Sequence, residues 1–75
     1  MFRVITSSNC KWCEKSKALL SANGLPYIEV PLVGQAWLRK LMAQANLKTV
    51  PQIFKPDGDL VGGYEDLMKY LEKDW

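Results

Sequence analysis

The chain has no histidine, only two cysteines and no apolar run of membrane-spanning length. Lack of histidine excludes Ser-His-Asp and Cys-His catalysis and removes the commonest metal ligand in one step. With two cysteines left, a structural zinc would need two carboxylates or a second chain to complete its tetrahedron, so no metal is expected. Lack of a long apolar run argues against a transmembrane helix. The opening Met1-Phe2-Arg3-Val4 also lacks the basic-then-apolar layout of a signal peptide, and the expected location is the cytoplasm, with no membrane partner. Excess charge is missing too. A net +2 carried by scattered lysines gives no footing for a nucleic-acid partner.

What is present is an ordinary globular composition without a low-complexity tract, a linker or a repeat. A chain of 75 residues has room for one domain, 1–75, which buries only about 60% of its unfolded surface. A single domain that folds alone, as a monomer, is expected.

The two cysteines form Cys10-Lys11-Trp12-Cys13. In a reducing compartment such a pair is more often catalytic or metal-binding than structural. As a staple it would close a loop of only four residues, worth roughly 2 kcal/mol on chain-entropy grounds, and would tie no distant segments together. Three positions apart at a helix start, the sulfurs need only small local adjustment to join. The first sits where unpaired backbone N–H groups favour an anion. Thiol-disulfide exchange asks for nothing else but access.

Around this pair the pattern alternates strand and helix. Phe2 to Thr6 is a short buried strand stopped by Ser7-Ser8-Asn9, and Lys11 to Asn23 is a helix with Leu19 and Leu20 inward and Asn23-Gly24 as its stop. Pro26 to Val30 makes a second strand. Gln35 to Ala45 makes a second helix, whose Trp37, Leu38, Leu41, Met42 and Ala45 recur at helical spacing and are expected in the core. Gln52 to Lys55 and Leu60 to Gly62 flank Pro56-Asp57-Gly58-Asp59, the turn signal of an antiparallel hairpin. A last helix runs from Tyr64 to Asp74, with Tyr64, Leu67, Met68, Leu71 and Trp75 on its inner face. The order β-α-β-α-β-β-α predicts an α/β fold: a four-stranded mixed sheet flanked by three helices.

Three motifs now stand in order: Cys-x-x-Cys after the first strand, Thr49-Val50-Pro51-Gln52-Ile53-Phe54 before the hairpin, and Gly62-Gly63-Tyr64-Glu65-Asp66-Leu67 opening the last helix. With them the chain resembles a glutaredoxin over essentially its whole length, most closely the short dithiol type of bacteria and phages. The resemblance implies a thioredoxin-like fold and a glutathione-dependent thiol-disulfide oxidoreductase that reduces protein disulfides and glutathione mixed disulfides. It makes Cys10 the nucleophile and Cys13 the resolving thiol. Position agrees, because helix N-termini and nearby cations lower a cysteine pKa from about 8.5 into roughly the 3.5–7.5 range, so Cys10 is expected to be largely thiolate at neutral pH.

For glutathione, the resemblance implies a cis bond before Pro51, the Val50 backbone pairing strand-like with the ligand, and Thr49 beside it. It brings the glutathione α-carboxylate to the helix start at Gly63, Tyr64 and Glu65, and the adjacent ammonium to Asp66. As first-turn acids, Glu65 and Asp66 have a second reading as stabilisers of their own helix. Trp12 would wall the site and Lys11 would attract carboxylates. Disulfide-bearing proteins are the implied partners, ribonucleotide reductase among them.

The chain departs from the family pattern at three places. Lys11 replaces the usual active-site proline, Glu65 stands where a small hydroxyl or thiol residue is common, and Ser7 stands where many relatives carry a lysine or arginine. Lys11 or Lys48 is left to meet the glycine carboxylate of glutathione. Two rivals share the fold: a redoxin recycled by thioredoxin reductase, which usually has Phe-Arg-Pro where this chain has Tyr64-Glu65-Asp66, and a module holding an iron–sulfur cluster between two subunits through Cys10 and glutathione thiols.

Overall fold

The computed structural model describes residues 1–73. Seven elements follow in the expected order: β1 (Phe2–Thr6), α1 (Lys11–Ala22), β2 (Tyr27–Pro31), α2 (Ala36–Gln44), β3 (Gln52–Phe54), β4 (Leu60–Gly62) and α3 (Tyr64–Lys73). The strands form one sheet in the order β2-β1-β3-β4. Inner strand β1 is buried at every position but Arg3, which is why it reads as a nearly continuous apolar run. It pairs in parallel with β2, from Phe2 opposite Tyr27 to Thr6 opposite Pro31, and a parallel pair needs a long crossover, here α1. On its other side it runs antiparallel to β3, with Val4 opposite Ile53.

The β3–β4 hairpin turns where the Pro-Asp-Gly-Asp signal stands. Lys55 N–H donates to the Asp59 carbonyl at 2.8 Å, Asp59 N–H donates to the Asp57 carboxylate at 3.0 Å, and Gly58 takes a φ of +98° that its missing Cβ permits.

Alternation along β1 divides the core between two faces. Phe2 and Val4 meet Leu20 of α1 and Leu67 and Leu71 of α3, together with Ile53. Ile5 points the other way, to Leu38 and Met42 of α2, with Val30, Leu32, Leu47, Val50 and Phe54 around them. Two helices therefore cover one face, and α2 alone covers the other.

That asymmetry corrects the expectation for α2. Leu38 and Met42 are buried, but Trp37 is 61% exposed, Leu41 is 54% exposed and Ala45 is exposed as well. Residues 38 and 42 lie in one row along the helix and 37, 41 and 45 in the next, about 100° round. Only the first row meets the sheet. Likewise Met68 of α3 is exposed, while Leu67 and Leu71 are buried and Tyr70 is half-buried. Asp74 and Trp75, placed on this helix by the sequence reading, lie outside the described residues.

A polar tie fixes α1 to the strands that carry the site. Buried Thr6 donates its hydroxyl to Glu29 Oε2 at 2.8 Å, and Lys17 Nζ of α1 reaches Glu29 Oε1 at 3.1 Å and Glu14 Oε2 at 2.7 Å. The Thr6 hydroxyl first, and Lys17 second, hold the Glu29 carboxyl below its ordinary range. The Lys17 ammonium is held above its ordinary value, chiefly by the hydrogen bond to Glu14 and then, against a desolvation cost, by Glu29.

Candidate active site

Three chain segments converge at one end of the sheet. In the first, β1 runs into a turn in which Asn9 takes the left-handed φ of +55°, which asparagine tolerates better than most residues. Cys10 follows as the N-cap of α1 with extended backbone angles. Its sulfur accepts the Cys13 N–H at 3.1 Å, the place an N-cap oxygen usually fills. The sulfur is thus set on the unpaired N–H groups of the helix start.

Cys10 and Cys13 are joined in a disulfide with their Cα atoms 5.2 Å apart. Cys13 is 1% exposed, whereas Cys10 is half-buried. Only the Cys10 sulfur is therefore open to an outside thiol or disulfide. One turn along, the buried Ser16 hydroxyl satisfies itself on the Trp12 carbonyl at 2.9 Å.

The second segment is Thr49-Val50-Pro51, whose Val50–Pro51 bond is cis. Here the sequence reading missed Gln52, a buried side chain whose Nε2 donates to the Thr49 carbonyl at 3.0 Å and to Thr49 Oγ1 at 3.3 Å. It clamps the loop from behind. A glutamine at a strand start announces no such bond, since its partner is fixed only once the loop has bent back.

The third segment opens α3. Asp66 Oδ2 accepts the Gly63 N–H at 3.2 Å, capping the helix. Gly62 sits at φ +124°, and a Cβ there would run into the Asp66 carboxylate. At Gly63 a Cβ would lie 3.7 Å from the Pro51 carbonyl, so the second and third segments are in close approach.

An aromatic pair spans the first and third segments. Trp12 and Tyr64 have ring centroids 5.3 Å apart at 42°, and Lys15 Nζ stands 4.6 Å above the indole. Between the three segments lies a cleft of about 330 Å³. Trp12 and Tyr64, the Thr49-Val50-Pro51 loop, and Gly63, Glu65 and Asp66 line it. Lys11, beside Cys10, is exposed and does not line it. Lys48 lines an adjoining cleft of about 260 Å³ together with Ser7 and Arg39, and that cleft shares Thr49 and Val50 with the first.

A disulfide at a helix start, with Cys10 half-buried and Cys13 buried, on the segment whose Trp12 shares a cleft with a cis-proline loop, is an arrangement for thiol-disulfide exchange. The Glutaredoxin family model matches residues 2–61. Glutaredoxin 3 of Escherichia coli K12 is 38% identical over 65 residues, which cover 85% of this chain and 77% of that protein. The chain belongs to the glutaredoxin family. Among solved structures, glutaredoxin 1 of Francisella tularensis is similar at a TM-score of 0.81 and 25% identity, over 96% of this chain and 92% of that one. A buckwheat glutaredoxin–glutathione complex superposes at a TM-score of 0.80 over 95% of this chain and 67% of that chain, with 23% identity. The fold is thioredoxin-like, and the chemistry of the Cys10–Cys13 pair is that of a thiol-disulfide oxidoreductase.

Proposed function

We propose that the protein is a glutathione-dependent reductase of protein disulfides and glutathione mixed disulfides, working as one domain in the cytoplasm. The observation that carries this is the cleft, which gathers Val50, the start of α3 and Trp12, two residues after the Cys10 N-cap. Its size suits a small ligand, and the buckwheat relative of the same fold binds glutathione.

In the reaction the Cys10 thiolate attacks one sulfur of the substrate disulfide, forming a Cys10–substrate bond and expelling the other sulfur as a thiolate. Cys13 then attacks Cys10 Sγ, closing the Cys10–Cys13 disulfide and releasing the second substrate thiolate. Two glutathione molecules restore the dithiol one after the other and leave as glutathione disulfide, so two electrons pass from glutathione to the substrate. Glutathione pairs with the Val50 backbone, sets its α-carboxylate on the N–H groups at the start of α3 and its ammonium on Asp66. Lys48, on the far side of Val50, meets the glycine carboxylate in place of the basic residue absent at Ser7; Lys11, outside both clefts, acts on the ligand only through its field. Disulfide enzymes such as ribonucleotide reductase are the protein substrates this reading admits.

The test is turnover of a small glutathione mixed disulfide with NADPH, with glutathione and glutathione reductase in one arm and thioredoxin reductase alone in the other. Activity in the first arm is expected. Activity only in the second would assign the protein to the redoxins recycled by thioredoxin reductase.

A further inference from the structure

Beyond Thr49 and Val50 the surface changes character. From residue 30 to residue 54 the chain carries three cations, Arg39, Lys40 and Lys48, and no acid. Both ion pairs found among the described residues use Lys17, which leaves Arg39 and Lys48 uncommitted. The cleft holding these two shares Thr49 and Val50 with the active-site cleft. At its other end it shares Met42 and Leu47 with a third, apolar groove of about 320 Å³ along α2. Leu38, Leu41, Phe54 and Leu60 are among the other residues of its wall. Leu41 and Leu60, which line it, are exposed, and Trp37, one turn before Leu41, is exposed as well.

The three clefts therefore form one track: acidic beside Tyr64, where Glu65 and Asp66 stand, basic at Arg39, and apolar along α2. Glutathione has no apolar side chain and makes no use of the third part. An extended protein segment does, because alternate side chains from one strand-like backbone fall into successive pockets.

We propose that this track is the docking surface for the protein half of the substrate, selecting disulfides that have an acidic residue near the reacting cysteine, held at Arg39, and a large apolar residue beyond it, held in the α2 groove. The proposal rests on the reading that Cys10 attacks protein disulfides. Charge complementarity with Arg39 and Lys48, which no ion pair among the described residues engages, and continuity with the active-site cleft argue for this occupant. It also accounts for the row of α2 that the sheet leaves uncovered, since exposed apolar surface of this kind marks interaction sites.

The test is a single-turnover reaction of the fully reduced protein with peptide disulfides in the absence of glutathione, acid-quenched and followed by chromatography. One peptide carries an acidic residue and a leucine beside its disulfide, a second has lysine for the acid, and a third has serine for the leucine. At low salt the first is expected to react roughly tenfold faster than the second, an advantage that shrinks as the Debye length falls below about 10 Å. Arg39→Glu is expected to reverse the preference between the first two peptides, and Leu41→Ser to erase the difference between the first and third. In both variants the rate with a small uncharged disulfide stays within about twofold of the parent rate, as expected of changes at the rim of a docking surface.

Equal rates with all three peptides would overturn the proposal while leaving the disulfide chemistry intact. So would an Arg39→Glu variant that loses the small disulfide as fully as the peptides. Because glutathione is absent, failure of the glutathione-dependent assay has no bearing on this result, and the two readings fail separately.

Discussion

Asp66 closes the first turn of α3 onto Gly63, its carboxylate accepting the glycine N–H at 3.2 Å in a space that a side chain at residue 62 would fill. The same carboxylate is assigned to the ammonium of glutathione, so capping and binding fall on one group. Asp66→Asn separates the two. The amide oxygen still caps, but the charge is gone. KM for glutathione is expected to rise about tenfold with kcat little changed, the size of one charge-assisted hydrogen bond weakened. Urea unfolding should move by less than about 1 kcal/mol, since a cap of the same shape remains. A KM that does not move would leave Asp66 as a helix cap alone.

Gly62→Ala acts on the same corner from the backbone side. The substitution forces φ +124° on a residue with a Cβ and pushes that atom into the Asp66 carboxylate. A loss of about 1–3 kcal/mol in stability is expected from the backbone strain, together with a higher KM for glutathione. Denaturant unfolding and steady-state kinetics read the two effects independently.

The two cysteines are expected to divide the chemistry. Cys10→Ser should abolish every disulfide-reducing activity, because the one open sulfur is lost. Cys13→Ser should still strip glutathione from small mixed disulfides, which a single thiol and a second glutathione accomplish, while failing to release protein disulfides efficiently. Parallel assays with the two substrate types on each variant check the division. An active Cys10→Ser protein would overturn the assignment.

The tie between Thr6, Glu29 and Lys17 predicts a pH signature. Glu29 is held below its ordinary value of 4.5, so the stability it contributes is present above that value and is lost as pH falls through its lower folded value. Lys17 is held above its ordinary value of 10.5, so its contribution is present below that value and lost as pH rises through the higher one. Glu29→Gln should therefore cost about 0.5 kcal/mol at pH 7, as fits a partly exposed ion pair after solvent screening, and almost nothing near pH 3. Urea titrations of parent and variant at the two pH values test this, and an equal deficit at both would show that the carboxylate charge contributes nothing.

Local sequence made the order of elements legible because each segment carries its own signal: the β-branched run of β1, the Asp57-Gly58 turn, the glycines before α3. The gathering of Trp12, Thr49 to Pro51 and Gly63 to Asp66 around one cleft was implied by family resemblance, since nothing local says that residues so far apart meet. Where a result depended on what lies opposite, the pattern fell short. The apolar spacing of α2 shows which residues share an arc, yet only the sheet decides how much of that arc is covered, and Trp37 and Leu41 lie outside it. The Gln52 clamp and the Thr6–Glu29–Lys17 tie were not legible at all, being polar contacts created by the fold between residues that look like ordinary surface in sequence.

Thr49 and Val50 line both the acidic and the basic cleft, so the two proposed visitors, glutathione and a protein segment, meet at the same two residues. A protein disulfide laid across them shuts glutathione out, and glutathione laid there bars the next disulfide. The oxidant must leave before the reductant arrives. On the proposed function, turnover therefore alternates strictly between two half-reactions that compete for the same seat, and an excess of either reactant is expected to slow the half-cycle that belongs to the other.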